Sequence, residues 1–237
     1  MRTRDSRTKS DDLWIVRRNP TLRIAGSLKE RWRLLLACGM AAPVLALTST
    51  LVATAANPDF NPARQYLSEL GGATAGAPLI FNAGVLAAGL MAGLAGAGFG
   101  LTIVALTKAR WIAVLTAIVF LLAGLGMARA ALYPWPDPRH LAINLALGIQ
   151  FAPLLLLWGL WSRRDIPRLK LFLFLVFLVM AVLTVLTKHL MFPTVVNDDN
   201  VGWWERAYAL ILVGWVGVAA SALEQCLRRE APATKTG

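Results

Sequence analysis

The chain has 237 residues, of which 57% are apolar and 16% are charged, and its mean hydropathy is +0.58. A soluble domain carries about a quarter charged residues, so this composition excludes an ordinary water-soluble fold and favours a membrane protein. The net charge of +11 would suit nucleic-acid binding, but the basic residues form no patch with interleaved aromatic side chains. We therefore predict membrane lipids, and no nucleic acid, as partners.

Six apolar stretches are each long enough to cross a hydrocarbon core, which takes roughly 20 helical residues. They predict an all-α fold, an integral membrane bundle of six transmembrane helices that forms one domain over residues 34–227. The basic tail 1–33 is expected to be unstructured or to lie on the membrane surface, and residues 228–237 form a second tail. The predicted spans are Leu34–Ala55, Ala77–Thr107, Trp111–Tyr133, Leu141–Trp161, Leu169–Phe192 and Trp204–Leu227.

The basic residues predict how the bundle is oriented. Nineteen Lys and Arg residues lie in the two tails and in the second-to-third and fourth-to-fifth links, whereas five lie on the other side. By the positive-inside rule both termini are cytoplasmic, and the protein is predicted to lie in the cell membrane. Cleavage after Ala53-Thr54-Ala55, which has the small-x-small form, is the alternative for the first span. Cys38 and Cys226 lie toward the cytoplasmic ends, where no outward disulfide could form.

The second span is rich in glycine. Gly89 and Gly93, like Gly96 and Gly100, are four residues apart, a spacing that lets helix backbones approach closely within lipid. The pattern predicts a central packing helix, and a homo-oligomer formed through the same face is the alternative.

The link between the third and fourth spans reads Tyr-Pro-Trp-Pro-Asp-Pro-Arg-His over residues 133–140. Its three prolines predict a turn, because they remove backbone donors and disfavour helix. Asp137, just before Pro138, is suited to cap the next helix, or it could orient His140. Arg129 lies one turn inside the third span, where a charge is costly unless it has a partner or reaches the interface.

Polar residues also mark the outward ends of the other spans. Ser68 beside Glu69 could be a nucleophile next to an acid or a helix cap, and Gly71-Gly72 ends this short segment. Glu205 lies in a first turn, where the helix dipole favours an acid. The predicted polar rim comprises Glu69, Asn82, Arg129, Asn144, Lys188, His189, Glu205 and Arg206.

Two kinds of chemistry are conceivable for these residues. Ser68, His140 and Asp137 could form a nucleophilic triad and are the predicted catalytic residues. Zinc would need three or four ligands, but His140 and His189 are far apart in sequence, so we predict no metal and no other cofactor. The sequence contains no phosphate-binding loop and no internal repeat, so secondary transport has no support.

Several motifs resemble a known family. They are Tyr66-Leu67-Ser68-Glu69-Leu70-Gly71, Phe81-Asn82-Ala83-Gly84, Tyr133-Pro134 to Asp137 with His140, and Gly202-Trp203-Trp204-Glu205-Arg206. Together, in this order, they resemble the prokaryotic domain-of-unknown-function family numbered 998, over residues 34–227. The resemblance implies a six-helix membrane protein that is distantly similar to eukaryotic six-helix proteins of lipid handling and autophagy. It implies no activity.

Three functions follow as hypotheses. The first is a lipid-interacting protein whose outward rim binds a phospholipid head group through Arg129, His140 and Lys188. The second is an outward-facing hydrolase or transferase acting on a lipid, with His140 as general base, Asp137 orienting it, and Ser68 or a water as nucleophile. The third is a small-solute transporter or channel.

Overall fold

The structure, a computed structural model, describes residues 20–140, 145–187 and 192–230. These residues form helices and no strands, which confirms the all-α prediction. Short 3-10 helices occur at Leu67–Gly71, Pro138–His140 and Leu145–Phe151. The α-helices are α1 Pro20–Ala55, α2 Pro78–Thr107, α3 Arg110–Leu132, α4 Ala152–Gly159, α5 Pro167–Thr187 and α6 Val201–Arg229.

Five of the helices, all except α4, are long and apolar enough to cross a membrane. Their outer faces carry large apolar side chains, such as Leu90 and Val182, which are 55% and 56% exposed. Such faces would be unfavourable in water but match a hydrocarbon environment. The chain is therefore a multi-pass membrane protein.

The fourth predicted span has a different structure from the one expected. Its described part is the 3-10 helix Leu145–Phe151 followed by the eight residues of α4, and its first four residues lie outside the described chain. Pro153 has no N–H to donate to the carbonyl of Ile149, and at this point the 3-10 helix gives way to α4, whereas α1 continues as an α-helix through Pro43. At about 2.0 Å per 3-10 residue and 1.5 Å per α-helical residue, the two pieces together reach about 26 Å.

The first helix begins earlier than its predicted span. α1 runs without a break from Pro20, and the part that could cross a membrane is Arg31–Ala55. Proline is well suited to a first helical turn because it needs no hydrogen-bonded N–H there. Residues 1–19 of the predicted tail lie outside the described chain.

Helix α2 packs at the centre of the bundle, as its glycines predicted. A Cβ added to Gly89 would lie 2.8 Å from the Cβ of Met127 on α3, and one added to Gly98 would lie 2.9 Å from the Cβ of Leu35 on α1. Gly93 differs, since an added Cβ there would meet no atom within 4 Å. The close approach of helices inside one chain confirms the predicted internal packing, whereas the homo-oligomer stays a prediction.

Helices α1 and α6 run antiparallel. Gly39 faces Ala220, and Pro43 faces Gly217, so residues early in α1 lie beside residues late in α6. The turns and loops at residues 56–77, 133–140 and 192–200 therefore lie at one end of the bundle, which we call the rim. Residues 56–77 form the rim loop.

Candidate functional site

Arg206, in the second turn of α6, fastens the rim loop to the bundle. The two N–H groups of one terminal nitrogen, Nη1, are shared among the carbonyl oxygens of Pro62 at 2.7 Å, Gln65 at 3.0 Å and Gly202 at 2.8 Å. The guanidinium also lies 5.1 Å from the centre of the Phe60 ring. Three carbonyl bonds and a cation–π contact make this side chain a clamp between two segments distant in sequence.

Gly202 allows the same loop to approach α6 closely. Its N–H donates to the carbonyl of Ala63 at 2.7 Å. A Cβ at Gly202 would lie 2.6 Å from the carbonyl oxygen of Gln65 and 2.8 Å from that of Ala63. Backbone oxygens cannot rotate away as a side chain can, so position 202 requires glycine.

Two predicted rim acids hold the first turn of the 3-10 helix Leu67–Gly71. Glu205 Oε2 accepts the N–H of Leu67 at 2.6 Å. Glu69 Oε1 accepts the N–H of Tyr66 at 2.8 Å, and Glu69 Oε2 accepts the side-chain amide of Gln65 at 2.9 Å. Both acids thus act as helix caps, the alternative that the sequence left open for Glu69.

The rim loop has an acidic surface. It encloses an open cavity of about 230 Å³ with Asp59 and Glu69 in its wall. Burial, and then the negative charges of Glu205, Asp198 and Glu69, raise the pKa of the Tyr66 phenol. The wall of this cavity is therefore an unfavourable place for a phosphate.

Asn82 and Ser68, two further predicted residues, also lie at the rim. The side-chain amide of Asn82 donates to the carbonyl of Gly71 at 2.9 Å, which fastens the end of the 3-10 helix to α2. Ser68 is half-buried, and its hydroxyl makes no hydrogen bond to any other described residue. Its predicted role as a nucleophile stays a prediction.

His140 is held by the turn that precedes it. Its Nδ1 lies 2.9 Å from the carbonyl oxygen of Tyr133, and the edge of its ring faces Trp135 at 6.5 Å between ring centres. A carbonyl oxygen can only accept, so Nδ1 carries the hydrogen. In the neutral ring, Nε2 then has a free lone pair.

Asp137 binds Arg139. Its Oδ1 lies 3.0 Å from Arg139 Nε and its Oδ2 lies 2.7 Å from Nη2, while Oδ1 also accepts the backbone N–H of Arg139 at 2.8 Å. These hydrogen bonds lower the pKa of Asp137 to about 2. Asp137 therefore caps the 3-10 helix Pro138–His140, where the sequence predicted capping of a fourth α-helix. Only its backbone carbonyl contacts His140, from whose N–H it accepts at 2.9 Å.

Arg129 reaches the same turn from α3. Its Nε donates to the carbonyl oxygen of Arg139 at 2.8 Å. The rim acids Glu69, Asp137 and Glu205 make no hydrogen bond to it. The two terminal nitrogens of Arg129 make no hydrogen bond to the residues that the structure describes.

The predicted rim residues thus form two groups. Glu69, Asn82, Glu205 and Arg206 hold the rim loop, and Arg129, Asp137 and His140 belong to the proline-rich turn. The groups meet at Gly72, where an added Cβ would lie 2.9 Å from the carbonyl oxygen of Trp135. Within the described ranges, no three His, Cys, Asp or Glu side chains could hold a metal ion. Asn144, Lys188 and His189 lie outside the described residues.

The bundle also contains a polar contact that was not predicted from the sequence. The side-chain amide of Gln150, in the 3-10 helix, donates to the hydroxyl of Tyr208 on α6 at 2.8 Å. An amide side chain inside an apolar stretch is costly unless it is bonded, and this was the signal available in the sequence.

A family model described as "Protein of unknown function (DUF998)" matches residues 40–222. The chain belongs to the DUF998 family. The match runs from α1 into α6 and includes every residue of both rim groups, so the DUF998 region and the membrane bundle coincide. No curated protein and no solved structure matches the chain. The family match confirms the resemblance to DUF998 that the sequence motifs indicated. It assigns no activity to the chain.

Proposed function

We propose that this DUF998 protein binds a phospholipid of the cell membrane at the rim, with the phosphate on Arg129. The proposal rests on the hydrogen bonding of the Arg129 side chain. Its Nε is fixed on the carbonyl of Arg139, which leaves both terminal amino groups for an anion. No carboxylate of the described residues is hydrogen-bonded to Arg129, and a guanidinium in this state near a membrane interface is suited to phosphate, to which it donates two parallel hydrogen bonds.

The surroundings of Arg129 favour the same ligand. Arg139 is neutralised by Asp137, so the uncompensated positive charge of this group is that of Arg129. Trp135, 41% exposed, is of the residue type that concentrates at the level of lipid head groups. Lys188, from the sequence prediction, would add a second cation.

The orientation is part of the proposal. Most basic residues lie in the tails and in the links away from the rim, which supports cytoplasmic termini and a rim facing outward. The stretch 141–161 would complete six crossings, because its 3-10 geometry lengthens it.

The test is lipid binding by the purified protein, measured by native mass spectrometry with phosphatidylglycerol and neutral diacylglycerol of the same chains in competition. We expect the wild type to prefer phosphatidylglycerol. Arg129→Gln should lose about ten- to a hundredfold in this preference, since a charge-assisted bond contributes about 1.5–3 kcal/mol.

Arg64→Gln is the matched control, because it removes an exposed rim cation that is already paired with Asp199. It should bind as the wild type does. Equal preference in the wild type and Arg129→Gln would refute the proposal, as would an equal loss in Arg64→Gln.

The second candidate is a lipid hydrolase or transferase, and the observation that favours it is the tautomer of His140. With Nδ1 donating to Tyr133, Nε2 is the acceptor that a general base requires. Ser68 or a water would be the nucleophile.

A fluorescent phospholipid incubated with the protein tests this candidate. Turnover that disappears in His140→Ala, with phosphatidylglycerol binding retained, would support the enzyme. Turnover that is absent in the wild type, or equal in His140→Ala, would exclude His140 as its base.

A further inference from the structure

The end of the bundle opposite to the rim carries exposed tryptophans. Trp158, in the last turn of α4, and Trp161, just after it, are 64% and 69% exposed, and Trp111 in the first turn of α3 is 87% exposed. The hydroxyl of Thr107 donates to the carbonyl of Gly159 at 2.7 Å, so the ends of α2 and α4 lie side by side. Exposed tryptophan side chains concentrate at the level of lipid head groups, which matches this end of the bundle to a membrane interface.

Lys170, in the first turn of α5, is held against one of these tryptophans. Its ammonium donates to the carbonyl oxygen of Trp161 at 2.7 Å and lies 5.6 Å from the centre of the Trp161 ring. An indole face attracts a cation, so the two contacts fix the ammonium at the depth of the tryptophan. An ammonium has three N–H groups, and no carboxylate of the described residues is hydrogen-bonded to this one. Two N–H groups therefore remain for an anion at the level of the head groups.

The other charges of the link between α4 and α5 leave it positive. Arg163 pairs with Asp165 at 2.8 Å and with Glu230, just after α6, which ties the link to the end of α6. Arg164 and Arg168 are exposed and pair with no carboxylate of the described chain. Two carboxylates are thus shared by one arginine, and the remaining cations of the link are not neutralised by them.

We propose that this corner of the bundle, residues 158–170, binds the head group of an anionic phospholipid, with the phosphate on Lys170. Charge complementarity selects this ligand, because a zwitterionic lipid would bring a further cation to a corner that already has an excess of them. The exposed tryptophans favour a membrane lipid over a soluble anion, since they place the ammonium within the interface.

This site is independent of the proposed function. The link between α4 and α5 lies at the end of the bundle opposite to Arg129, so one lipid cannot occupy both places. Under the proposed orientation the corner meets the cytoplasmic leaflet. Each basic side chain near an anionic membrane surface strengthens the attraction about fivefold.

A fluorophore beside the corner tests the proposal through its quenching by brominated lipids. Ser162 is exposed and follows Trp161, so Ser162→Cys carries the label in the full chain with Cys38 and Cys226 replaced by alanine. This labelled parent is reconstituted in phosphatidylcholine vesicles that contain equal fractions of either brominated phosphatidylglycerol or brominated phosphatidylcholine. We expect stronger quenching by the brominated phosphatidylglycerol, because quenching reports which lipid is concentrated beside the label.

Two substitutions that remove the same charge distinguish a site at Lys170 from the overall charge of this end. Lys170→Gln should lower the preference for phosphatidylglycerol about fivefold, since it removes the cation that holds the phosphate. Arg228→Gln is the matched control, because Arg228 is already paired with Glu224, and its preference should equal that of the parent. Lys170→Arg retains the charge and should retain the preference, which separates loss of the cation from a folding defect.

Equal quenching by the two brominated lipids in the parent would overturn the proposal. So would an equal loss of preference in Lys170→Gln and Arg228→Gln, because the preference would then come from the overall charge of this end. A loss in Lys170→Arg as large as that in Lys170→Gln would also contradict a site based on the cation. Arg129→Gln should leave the preference beside residue 162 unchanged, whatever its effect at the rim, and a loss in this variant would refute a separate site.

Discussion

At the scale of the residue, the arginines of the rim differ in what they bind. Arg206 donates to backbone carbonyls, Arg139 to a carboxylate, and Arg64 to an exposed carboxylate. Arg129 is fixed at one nitrogen. All four residues are arginines near the membrane interface. Only their contacts distinguish Arg206, which holds the rim loop, from Arg129, which is a candidate ligand site.

The Arg206 clamp predicts a loss of stability on substitution. Arg206→Gln removes the donor shared by Pro62 and Gln65, and hydrogen bonds from a charged group contribute about 1.5–3 kcal/mol. We expect the free energy of unfolding, measured by titration with a denaturing detergent, to fall by about that amount. The rim loop should also become sensitive to protease.

Arg64→Gln is the control on the same loop. Its ion pair with Asp199 has side chains that are 63% and 77% exposed, and such pairs contribute less than about 1 kcal/mol. If both variants lost the same stability, the clamp described for Arg206 would not exist.

Asp137 predicts a pH dependence of the turn. Its pKa falls from an ordinary value of 3.8 to about 2 because Arg139 donates to the carboxylate. A lowered pKa means that the contact stabilises the turn fully above about pH 4 and that this contribution disappears as the pH falls toward 2.

An NMR titration of the Asp137 carboxyl carbon should therefore give a midpoint near 2 in the wild type. In Arg139→Gln the midpoint should return toward 3.8. A wild-type midpoint at the ordinary value would contradict the bidentate contact.

At the scale of the element, α2 shows that glycines one turn apart have different roles. Gly89 contacts Met127 and the backbone of Gly124 on α3, whereas Gly93 has open space at the Cβ position. The four-residue spacing predicted that this helix packs closely. It could not predict that the Cβ position is open at Gly93 but crowded at Gly89, Gly96 and Gly100, because that depends on where α3 crosses.

Substitution of each glycine by alanine tests this difference. Gly89→Ala should lower the free energy of unfolding by about 1–3 kcal/mol, the cost of overpacking. Gly93→Ala should leave it unchanged or raise it by up to about 1 kcal/mol, from the higher helix propensity of alanine. Unfolding in denaturing detergent measures both, and equal losses would refute the packing described.

The fourth predicted span illustrates a limit of hydropathy. Its apolar residues predict a membrane span, but they do not predict its 3-10 helix or the short α4. Pro153 denies Ile149 an α-helical partner, but Pro43 does the same to its own i−4 residue inside the continuous helix α1, so a proline alone does not predict a break. Hydropathy averages over a window and is unaffected by one missing N–H.

At the scale of the whole molecule, the orientation of the bundle gives a further prediction. With Cys38 and Cys226 replaced by alanine, Thr74→Cys in the rim loop should react with an impermeant maleimide on intact cells. Ser162→Cys, between α4 and α5, should react only after the membrane is opened. Both positions are exposed, so accessibility depends on the side of the membrane. The reverse pattern would invert the proposed topology.

The sequence by itself determined that this is a helical membrane protein of the DUF998 family, and it located the ends of most long helices within about three residues. These properties depend on composition, apolar runs and prolines, which act locally. It also placed Arg129, Asp137, His140, Glu205 and Arg206 at one end of the bundle. Periodicity and charge supply no information on contacts between side chains far apart in the chain.

Only the tertiary structure decided what those residues bind. Arg206 contacts the carbonyl of Pro62 across 144 residues, and Arg129 contacts the carbonyl of Arg139. Every residue has a backbone carbonyl, so its use as an acceptor leaves no trace in the sequence.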